Sequence, residues 1–308
     1  MNKSVKTDKD CPSVAIVILN WNGKDNTLEC LNSLEDIDYP NFRVIVVDNG
    51  STDGFQDEVS QAFPQHYLIC NDDNLGFPGG NNVGIKCALK QQFDYVLLLN
   101  HDTLVESDFL KKLVNVATSD QNIGICGPRI VYHSNPELFW STGGYLAKKS
   151  GCPYHLEKPP PQVCTDKAFS EVDWVSGCAL LIKASVIERI GLLDDDYFVG
   201  TEDVDWCVRT QRAGYTIAYV DNACIAHKKR IVSFNQYNYL QQYYTLRNLL
   251  IFIEKNGNFS SSFYLKFLTI LLKRISVSVL TFDFKSLRSI WFAITDFCAK
   301  RYGKCQIW

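Results

Sequence analysis

Short apolar runs that end in polar clusters alternate with amphipathic stretches along the first third of the chain. The clearest run, residues 14–19, is rich in β-branched side chains and is typical of a strand buried on both faces. A helix is predicted over residues 25–34. Strands of the same kind are predicted at residues 43–47, 67–70 and 95–99, with helical stretches between them.

Alternating strands and helices favour an α/β fold in which a mostly parallel, doubly wound sheet carries helices on both faces. Beyond residue 123 the alternation is less regular, which predicts a mixed second half. The elements predicted there are strands at residues 130–132, 140–146, 172–182 and 215–220, and a helix at residues 203–212. In such sheets ligands bind beyond the carboxyl ends of the strands, which is where this sequence places its polar clusters.

From residue 233 onward the pattern becomes helical, with helices predicted over residues 233–253 and 261–280. In the second helix, polar side chains recur every three or four residues and leave a broad apolar face. These polar residues are Ser262, Lys266, Thr269, Lys273 and Ser276. Because basic residues interrupt the about 18 apolar residues that a spanning helix needs, the helix is expected to lie on a membrane surface. An ordinary helix packed on the core is the alternative.

Charge divides the chain near residue 226, although all 308 residues together carry a net charge of only −3. Residues 1–225 hold 18 basic and 31 acidic residues, a net charge of −13, whereas residues 226–308 hold 13 and 3, a net charge of +10. A basic tail fits an anionic surface, either nucleic acid or the cytoplasmic leaflet of a membrane. The membrane is favoured, because the basic residues accompany apolar ones and no nucleic-acid-binding module is recognisable.

The 12 cysteines lie singly along the chain, without a CxxC pair, and several stand inside apolar runs. This spacing argues against zinc and disulfide frameworks and favours reduced thiols in the cytosol. The apolar run at residues 14–19 is too short for the core of a signal peptide, so secretion is not expected.

Two polar clusters after predicted strands suit a nucleotide. Asp48 follows a buried strand, where a carboxylate can accept hydrogen bonds from a nucleobase or a ribose. Ser51 and Asp53 in the same cluster are also typical of a turn with a helix N-cap. Residues 71–84 are rich in asparagine and glycine and open a helix, so their backbone can approach phosphate oxygens closely. A plain loop is the alternative, because the segment matches neither a GxGxxG nor a Walker motif.

Two further groups of carboxylates are candidates for chemistry. Asp102 follows a very apolar strand, which suits a hard divalent cation that bridges a diphosphate, although a helix cap explains it equally well. Glu202, Asp203 and Asp205 begin a predicted helix, where acidic residues are often partners of the helix dipole only. Asp203 and Asp205 are two residues apart and face different directions on a helix, so different roles are expected.

In this order, these stretches resemble the family 2 glycosyltransferases, inverting enzymes with the GT-A fold, and in particular their rhamnosyltransferase-like branch. The likeness spans roughly residues 13–253. The motifs that carry it are NWNG at residues 20–23, VVDNGSTD at 46–53, NLGFPGGNNVGI at 74–85, LLLNHDT at 97–103 and EDVDW at 202–206. The nucleotide-sugar-binding positions that it implies are Asn20, Asn22, Asp48, Ser51, Asn74, Gly76, Gly79, Asn81 and Asn100.

The resemblance also implies catalytic, acceptor and metal positions. It assigns Asp203 as the general base with Glu202 beside it, and places Gly177 and Trp206 on the acceptor side. The implied ligands of a divalent cation, Mg²⁺ or Mn²⁺, are Asp102 and His227. A lone histidine is more often structural than a ligand, so His227 is also compatible with a structural role.

Three positions depart from the family pattern. His101 stands where the metal motif usually reads NND or NPD. Gly200 replaces a usual aromatic residue and Asp221 a usual proline, so the acceptor pocket is expected to differ.

The expected organisation is a flexible N-terminus at residues 1–12, a GT-A domain at residues 13–230 and a helical, basic, amphipathic region at residues 231–308. Within the domain, residues 13–120 are expected to bind the nucleotide sugar and residues 121–230 the acceptor.

The resemblance implies a metal-dependent inverting transferase that uses a nucleoside diphosphate sugar, with rhamnose from dTDP-rhamnose favoured. The acceptor would be a glycan or a polyprenyl-diphosphate-linked saccharide in cell-surface polysaccharide synthesis. The enzyme is expected in the cytoplasm, peripheral on the inner face of the cell membrane, with no nucleic-acid partner. A nucleotidyltransferase is one alternative, but residues 20–23 lack the basic glycine-rich loop that it needs. The other is an inactive glycan-binding relative, motivated by His101 and Gly200.

Overall fold

Strands and helices alternate in the first half of the chain, as the sequence predicts. The computed structural model describes residues 11–156, 158–160, 168–229, 239–257 and 259–306. The elements of the first half are β1 (Val14–Asn20), α1 (Lys24–Glu35), β2 (Phe42–Asp48), α2 (Phe55–Ala62), β3 (Tyr67–Cys70), α3 (Gly76–Lys90) and β4 (Tyr95–Asn100). All four predicted strands are present, and their ends differ from the predicted ones by at most one residue.

The four strands form a parallel sheet in the order β4-β1-β2-β3, so their carboxyl ends reach one edge. Asn20 pairs with Asp48 across β1 and β2, and Leu19 pairs with Asn100 across β1 and β4. This register brings the polar residues that follow three different strands side by side.

The central strand β1 separates two apolar cores, so helices cover both faces of the sheet. Val17 packs in one core with Ile85 of α3, whereas Ile16 packs in the other with Leu31 of α1. Successive side chains of a strand point to opposite faces, so a strand covered on both sides requires an unbroken apolar run. The apolar sequence of residues 14–19 is explained by this position.

The second half extends the same sheet with strands of both directions. Its elements are β5 (Thr103–Val105), α4 (Phe109–Ser119), β6 (Ile123–Tyr132), β7 (Asn135–Ser141), β8 (Gly144–Leu146), β9 (Pro153–His155), β10 (Ser170–Val172), β11 (Ala179–Lys183), α5 (Ala184–Ile190), α6 (Glu202–Arg212) and β12 (Thr216–His227). β11 is antiparallel to both β4 and β6, and β6 is parallel to β12, so the sheet order is β10-β12-β6-β11-β4-β1-β2-β3. The expected mixed second half is confirmed.

Four strands of this half differ from their predictions. The strand predicted at residues 130–132 is the end of β6, which begins at Ile123. The strand predicted at residues 140–146 divides into β7 and β8 around Gly143, whose φ of 79° favours glycine. The strand predicted at residues 172–182 divides into β10 and β11, because the residues between them turn out of the sheet. β12 continues past residue 220 and pairs His227 with Thr103 of β5, which places His227 next to Asp102.

Three helices follow the sheet: α7 (Tyr239–Asn256), α8 (Ser261–Leu280) and α9 (Phe284–Cys298). α8 has the bounds that the sequence predicts, whereas α9 was not predicted. Leu246 and Ile251 of α7 share the apolar core of α3, so α7 is part of the main fold. Among the helices of the described ranges, none combines the length and the apolar composition that crossing a bilayer requires.

Some expectations concern segments outside the described residues. These are residues 1–10 of the expected flexible N-terminus, the expected domain boundary at residue 230 and the predicted start of a helix at residue 233. Within the described ranges, the 11 cysteines are all free thiols.

Candidate active site

Side chains at the ends of β1 and β2 form a buried polar cluster. Asp48 is 0% exposed. Its Oδ1 accepts hydrogen bonds from Asn20 Nδ2 at 3.0 Å and from Ser51 Oγ at 2.5 Å, and its Oδ2 accepts one from Gln56 Nε2 at 2.8 Å. The Ser51 hydroxyl also accepts from the Asn22 N–H at 2.9 Å. These predicted nucleotide-binding residues therefore join the ends of the two strands through hydrogen bonds to one another.

A cavity of about 310 Å³ lies next to this cluster, and Asn49, the residue after Asp48, is on its wall. Predicted site residues on its wall are Asn74, Gly76, Asn100, Asp102 and His227. Wall residues that the sequence analysis did not identify as binding residues are Leu19, Trp21, Asn49, Phe77, His101, Phe198, Val199 and Lys229. Asn20, Asn22, Asp48, Ser51, Gly79 and Asn81 are not on the wall.

Asn49 fixes the asparagine- and glycine-rich turn against the sheet. Its Nδ2 donates to Asn74 Oδ1 at 3.0 Å and to the Gly76 carbonyl oxygen at 3.1 Å, and its Oδ1 accepts from the Leu75 N–H at 3.2 Å. Asn81, in contrast, donates to the Phe77 carbonyl oxygen within α3. The position of Asn49, directly after Asp48 at the end of a buried strand, is the feature of the sequence that could have identified it as a site residue.

The backbone at Gly76 and Phe77 lies directly against the loop that precedes α6. The Phe77 N–H donates to the Phe198 carbonyl oxygen at 2.7 Å. Gly76 has a φ of +77°, and a Cβ there would lie 2.4 Å from that carbonyl oxygen. Only glycine allows both the left-handed conformation and this approach. The contact joins the predicted nucleotide-sugar half to the predicted acceptor half.

Asp102 and His227 form a pair at one end of the cavity. His227 Nε2 lies 3.0 Å from Asp102 Oδ1, and the histidine ring packs edge-on against Trp140. Burial opposes ionisation of Asp102, but the hydrogen bond and charge of His227 outweigh it and hold the pKa of Asp102 below its usual value. The ionised carboxylate that a cation requires is thereby favoured.

The Asp102 and His227 pair fits a divalent cation that is shared with a ligand. Within the part of the chain that the structure describes, no group of three or more His, Cys, Asp and Glu side chains could hold a metal alone. One carboxylate and one imidazole would need further oxygen ligands, as when Mg²⁺ is bound by few protein groups together with phosphates. His227 Nδ1 is buried without a hydrogen-bond partner among the described residues. His101 is on the same wall and lies against Gly23.

Asp203 lies at the start of α6 and is not itself on the wall of the cavity. Its Oδ2 accepts from the Gly177 N–H at 2.9 Å. A Cβ on Gly177 would lie 3.3 Å from both Asp203 Cβ and Phe77 Cε1, so the carboxylate is close to the cavity wall. Burial raises the pKa of Asp203, although the N–H groups of Gly177 and Val204 oppose the shift.

The neighbouring acidic residues occupy different environments, as their spacing predicts. Glu202 is buried, and burial together with the Asp203 charge raises its pKa. Its Oε2 has no hydrogen-bond partner among the described residues. Asp205 points into the fold, where its Oδ2 accepts from Arg209 Nε at 2.7 Å. Trp206 is fully buried and donates to the Gly191 carbonyl oxygen at 2.9 Å, so the structure does not bring it to the cavity.

A row of aromatic rings connects the Asp102 side to the Asp203 side. Trp140 contacts His227 at a ring-centroid distance of 4.5 Å, and His155 contacts Trp174 at 4.6 Å, with Trp140 and His155 at 6.5 Å. Desolvation of the ring lowers the pKa of His155, whereas the negative charge of Asp203 opposes the shift. His155 lies on the short strand β9, which no hydrophobic pattern indicated.

Comparison with known proteins gives a consistent family assignment. The model of the family described as "Glycosyl transferase family 2" matches residues 13–191. The chain is 23% identical to the dTDP-rhamnosyl transferase RfbF of Shigella flexneri over 79% of this chain and 81% of that protein. It is 27% identical to the low-salt glycan biosynthesis hexosyltransferase Agl10 of Haloferax volcanii over 81% and 77%. It is 28% identical to the N-acetylglucosaminyl-diphospho-decaprenol L-rhamnosyltransferase of Mycobacterium tuberculosis over 60% and 66%.

Two solved structures share the fold. The mannosyltransferase PcManGT of Pyrobaculum calidifontis, in complex with GDP-Man and Mn²⁺, has a TM-score of 0.57 and 17% identity over 97% of this chain and 78% of that chain. GalNAc-T7 with UDP, GalNAc and Mn²⁺ has a TM-score of 0.63 and 15% identity over 80% of this chain. The matched part is 48% of GalNAc-T7, so the chain spans about half of its length. These likenesses confirm the expected GT-A fold.

The close approach at Gly76 is testable by alanine substitution. Gly76→Ala and Gly54→Ala both place a side chain at a positive φ, +77° and +75°, but nothing lies within 4 Å of a Cβ on Gly54. Gly54→Ala is therefore expected to lose about 1 kcal/mol of unfolding free energy. Gly76→Ala is expected to lose about 1–3 kcal/mol more, because its Cβ must displace the Phe198 carbonyl. Urea denaturation measures both, and equal losses would contradict the close approach.

Proposed function

Because the chain belongs to glycosyl transferase family 2, we propose that it transfers a sugar from a nucleoside diphosphate to a hydroxyl group of a glycan or lipid-linked saccharide, with inversion. The observation that carries this proposal is that Asp102 is on the wall of the cavity, while Asp203 lies behind the wall residue Phe77, where a Cβ on Gly177 would be 3.3 Å from both. One carboxylate then serves the departing diphosphate and the other serves the attacking hydroxyl. Family membership sets aside the alternative of a nucleotidyltransferase.

The diphosphate is proposed to lie at the Asp102 end of the cavity. Asp102 and His227 would hold a divalent cation, Mg²⁺ or Mn²⁺, which neutralises charge on the departing diphosphate when bound. The two solved neighbours contain Mn²⁺, which supports a cation here. Lys229 supplies a further positive charge on the same wall. Asn49 and Asn74 would position the nucleotide through the turn that they fix.

Asp203 is proposed to act as the general base. Its carboxylate would take the proton of the acceptor hydroxyl while that oxygen attacks the anomeric carbon. The bond between the anomeric carbon and the diphosphate oxygen breaks in the same step, and the electron pair leaves with the diphosphate. A single displacement of this kind inverts the anomeric centre. Glu202 lies beside the base, and burial together with the negative charge of Asp203 raises the pKa of Glu202, which favours a neutral Glu202 next to an ionised base.

Rhamnose from dTDP-rhamnose is the favoured donor, and a polyprenyl-diphosphate-linked saccharide is a favoured acceptor. Support comes from the relatives whose names specify a dTDP-rhamnosyl transferase and a decaprenol-linked rhamnosyltransferase. Of the ring row, Trp140 and His155 keep accessible surface that a sugar could contact, whereas Trp174 is buried beneath them. An acceptor with a lipid anchor would require the cavity to lie next to a membrane. The proposed enzyme is therefore cytoplasmic and peripheral on the membrane.

The outer face of α8 is proposed as the membrane contact. Its exposed apolar side chains recur along one side of the helix: Tyr264, Leu265, Leu268, Leu272, Ile275 and Val279. Phe282, in the turn before α9, and Phe284 and Trp291 of α9 are further exposed apolar side chains, each at least 67% exposed. Lys266, Lys273, Lys285 and Arg288 are exposed on the same two helices. Apolar side chains with basic neighbours suit an anionic bilayer surface.

The proposed chemistry is tested by a donor screen followed by Asp203→Asn. The correct nucleotide sugar is expected to raise the melting temperature, more strongly with Mn²⁺ than without it, because ligand binding stabilises the folded state. Asp203→Asn should keep this shift but lower transfer by about 100-fold to 10,000-fold, the range for loss of a general base. Glu202→Gln should be more tolerant.

The pH dependence of transfer gives a second measurement on Asp203. The base works only when ionised, and its pKa is raised by burial, so transfer should fall with acidification at a pH above the usual aspartate range. Asp203→Asn should lose this acidic limb. If the wild-type protein binds the donor but transfers no sugar, the inactive glycan-binding alternative is favoured. If Asp203→Asn transfers sugar at the wild-type rate, Asp203 is not the base.

The role of Lys229 is tested against its neighbour. Lys229→Gln should weaken binding of the nucleoside diphosphate product by about tenfold, the effect of losing one charge-assisted hydrogen bond. Lys228→Gln removes the same charge one residue away, but the Lys228 side chain pairs with Glu29. Calorimetric titration should show near-normal affinity for this control. Equal losses in both variants would indicate a general charge effect.

The membrane contact is tested with vesicles of phosphatidylglycerol and phosphatidylcholine. Replacing Leu265, Leu268 and Leu272 by serine should weaken partitioning by at least about tenfold, because exposed leucines would no longer enter the bilayer. Leu138→Ser, at a 44% exposed leucine of β7, is the control and should bind normally. If the wild-type protein does not bind these vesicles at low salt, the proposed contact is wrong.

A further inference from the structure

Asn248 of α7 is fully buried and bonded to a loop of the active site. Its Nδ2 lies within hydrogen-bond distance of the carbonyl oxygens of Tyr197, at 3.0 Å, Val199, at 2.9 Å, and Gly200, at 2.7 Å. These carbonyls belong to residues 196–201, which we term the base loop because Asp203 follows it. We propose that Asn248, together with Arg247, is a positioning residue that sets the conformation of the base loop for transfer.

Arg247 completes the contact from the same helix. Its Nη2 donates to the carbonyl oxygens of Asp196 at 3.1 Å and Tyr197 at 3.0 Å. The guanidinium packs against the rings of Tyr243 and Tyr244, 5.1 and 5.0 Å from their centroids. Its Nε and Nη2 donate to Asn248 Oδ1 at 3.1 and 3.0 Å, so the two side chains hold each other in place.

The base loop needs these external donors because of its backbone conformation. Phe198, Gly200 and Thr201 all have positive φ, at 61°, 85° and 82°. Non-glycine residues persist at such angles only where the surroundings hold them, at a cost of order 1–3 kcal/mol each. A buried carbonyl that loses its donor costs a further 1–3 kcal/mol or so. The contacts with α7 therefore stabilise a backbone conformation that the residues of the base loop would not favour by themselves.

The conformation of the base loop determines the shape of the cavity wall and the position of the proposed base. Phe198 and Val199 form part of the cavity wall, and the Phe198 carbonyl oxygen accepts from the Phe77 N–H. The ring of Tyr244 stacks on that of Phe198 at 5.5 Å. One residue after the loop, α6 begins at Glu202 and carries Asp203. A displacement of the loop would move the wall and the proposed base together.

The inference rests on the proposed function for its kinetic part, but the loop conformation is measurable without activity. Asn248→Asp keeps the size of the side chain and replaces the amide donor by oxygens that face three carbonyl oxygens. Hydrogen exchange should then accelerate for amides of residues 196–203 and remain slow in β1 and β4. In the transfer assay, kcat should fall by about 100-fold, the effect of misplacing a reacting group by about 1 Å.

Gln242→Met is the control for an equally buried change in α7. Gln242 donates to the Ser286 carbonyl oxygen at 2.8 Å and to Ser289 Oγ at 2.9 Å, on the side of α7 that faces α9. This variant should lower the melting temperature but keep kcat and the slow exchange of the base loop. A normal kcat in Asn248→Asp, or an equal loss of kcat in Gln242→Met at matched fractions of folded protein, would overturn the positioning role.

Two further outcomes remain informative. If Asn248→Asp does not fold, Arg247→Lys provides the same measurements, because lysine keeps the charge but cannot reproduce the paired bonds to Asp196 and Tyr197. If the wild-type protein transfers no sugar, the proposed function fails, whereas accelerated exchange in the base loop still supports the structural role of Asn248. Unchanged exchange in both variants would refute the role irrespective of activity.

Discussion

The active site depends on one backbone hydrogen bond, from the Phe77 N–H to the Phe198 carbonyl oxygen. On one side of it stands the turn that Asn49 fixes to the sheet, and on the other stands the base loop that α7 holds. Glycine at position 76 is required because any side chain would collide with the accepting carbonyl. Phe77 lies in the first turn of α3, and Phe198 follows a short 3-10 turn at residues 195–197. The irregular residues that adjoin these turns are held in shape by the partners that surround them.

The sheet was predictable because burial on two faces leaves a strong signal in the sequence. A strand such as β1 must be apolar at every position, and the polar residue that ends it marks the sheet edge. The same reasoning made Asp102 a candidate, because it follows an apolar strand. Asp203 was one of three carboxylates at a predicted helix start, and its role as the base came from the family resemblance. His227 came from the family resemblance, and the long β12 explains how a residue so distant in sequence reaches Asp102.

The remaining features depend on contacts that no local pattern encodes. Asp48 stands at a strand end like Asp102, but Asn20, Ser51 and Gln56 surround its carboxylate and leave it no open face. Trp206 follows the acidic cluster, yet the helical turn directs it into the core. The tail showed a similar ambiguity: α7 belongs to the core, whereas α8 keeps an exposed apolar face. A helical pattern gives the apolar side of a helix but does not identify what covers it.

The position of β11 constrains how the molecule can move. β11 is hydrogen-bonded to β4 of the first half and to β6 of the second, so both halves belong to one continuous sheet. Rotating one half against the other would break ladders of buried backbone hydrogen bonds, a cost that no small ligand offsets. The frame is therefore rigid, in contrast to two-lobed enzymes that close about a hinge. Adaptation to substrates of different size is confined to the segments that leave the sheet, so evolution can exchange these segments without altering the frame.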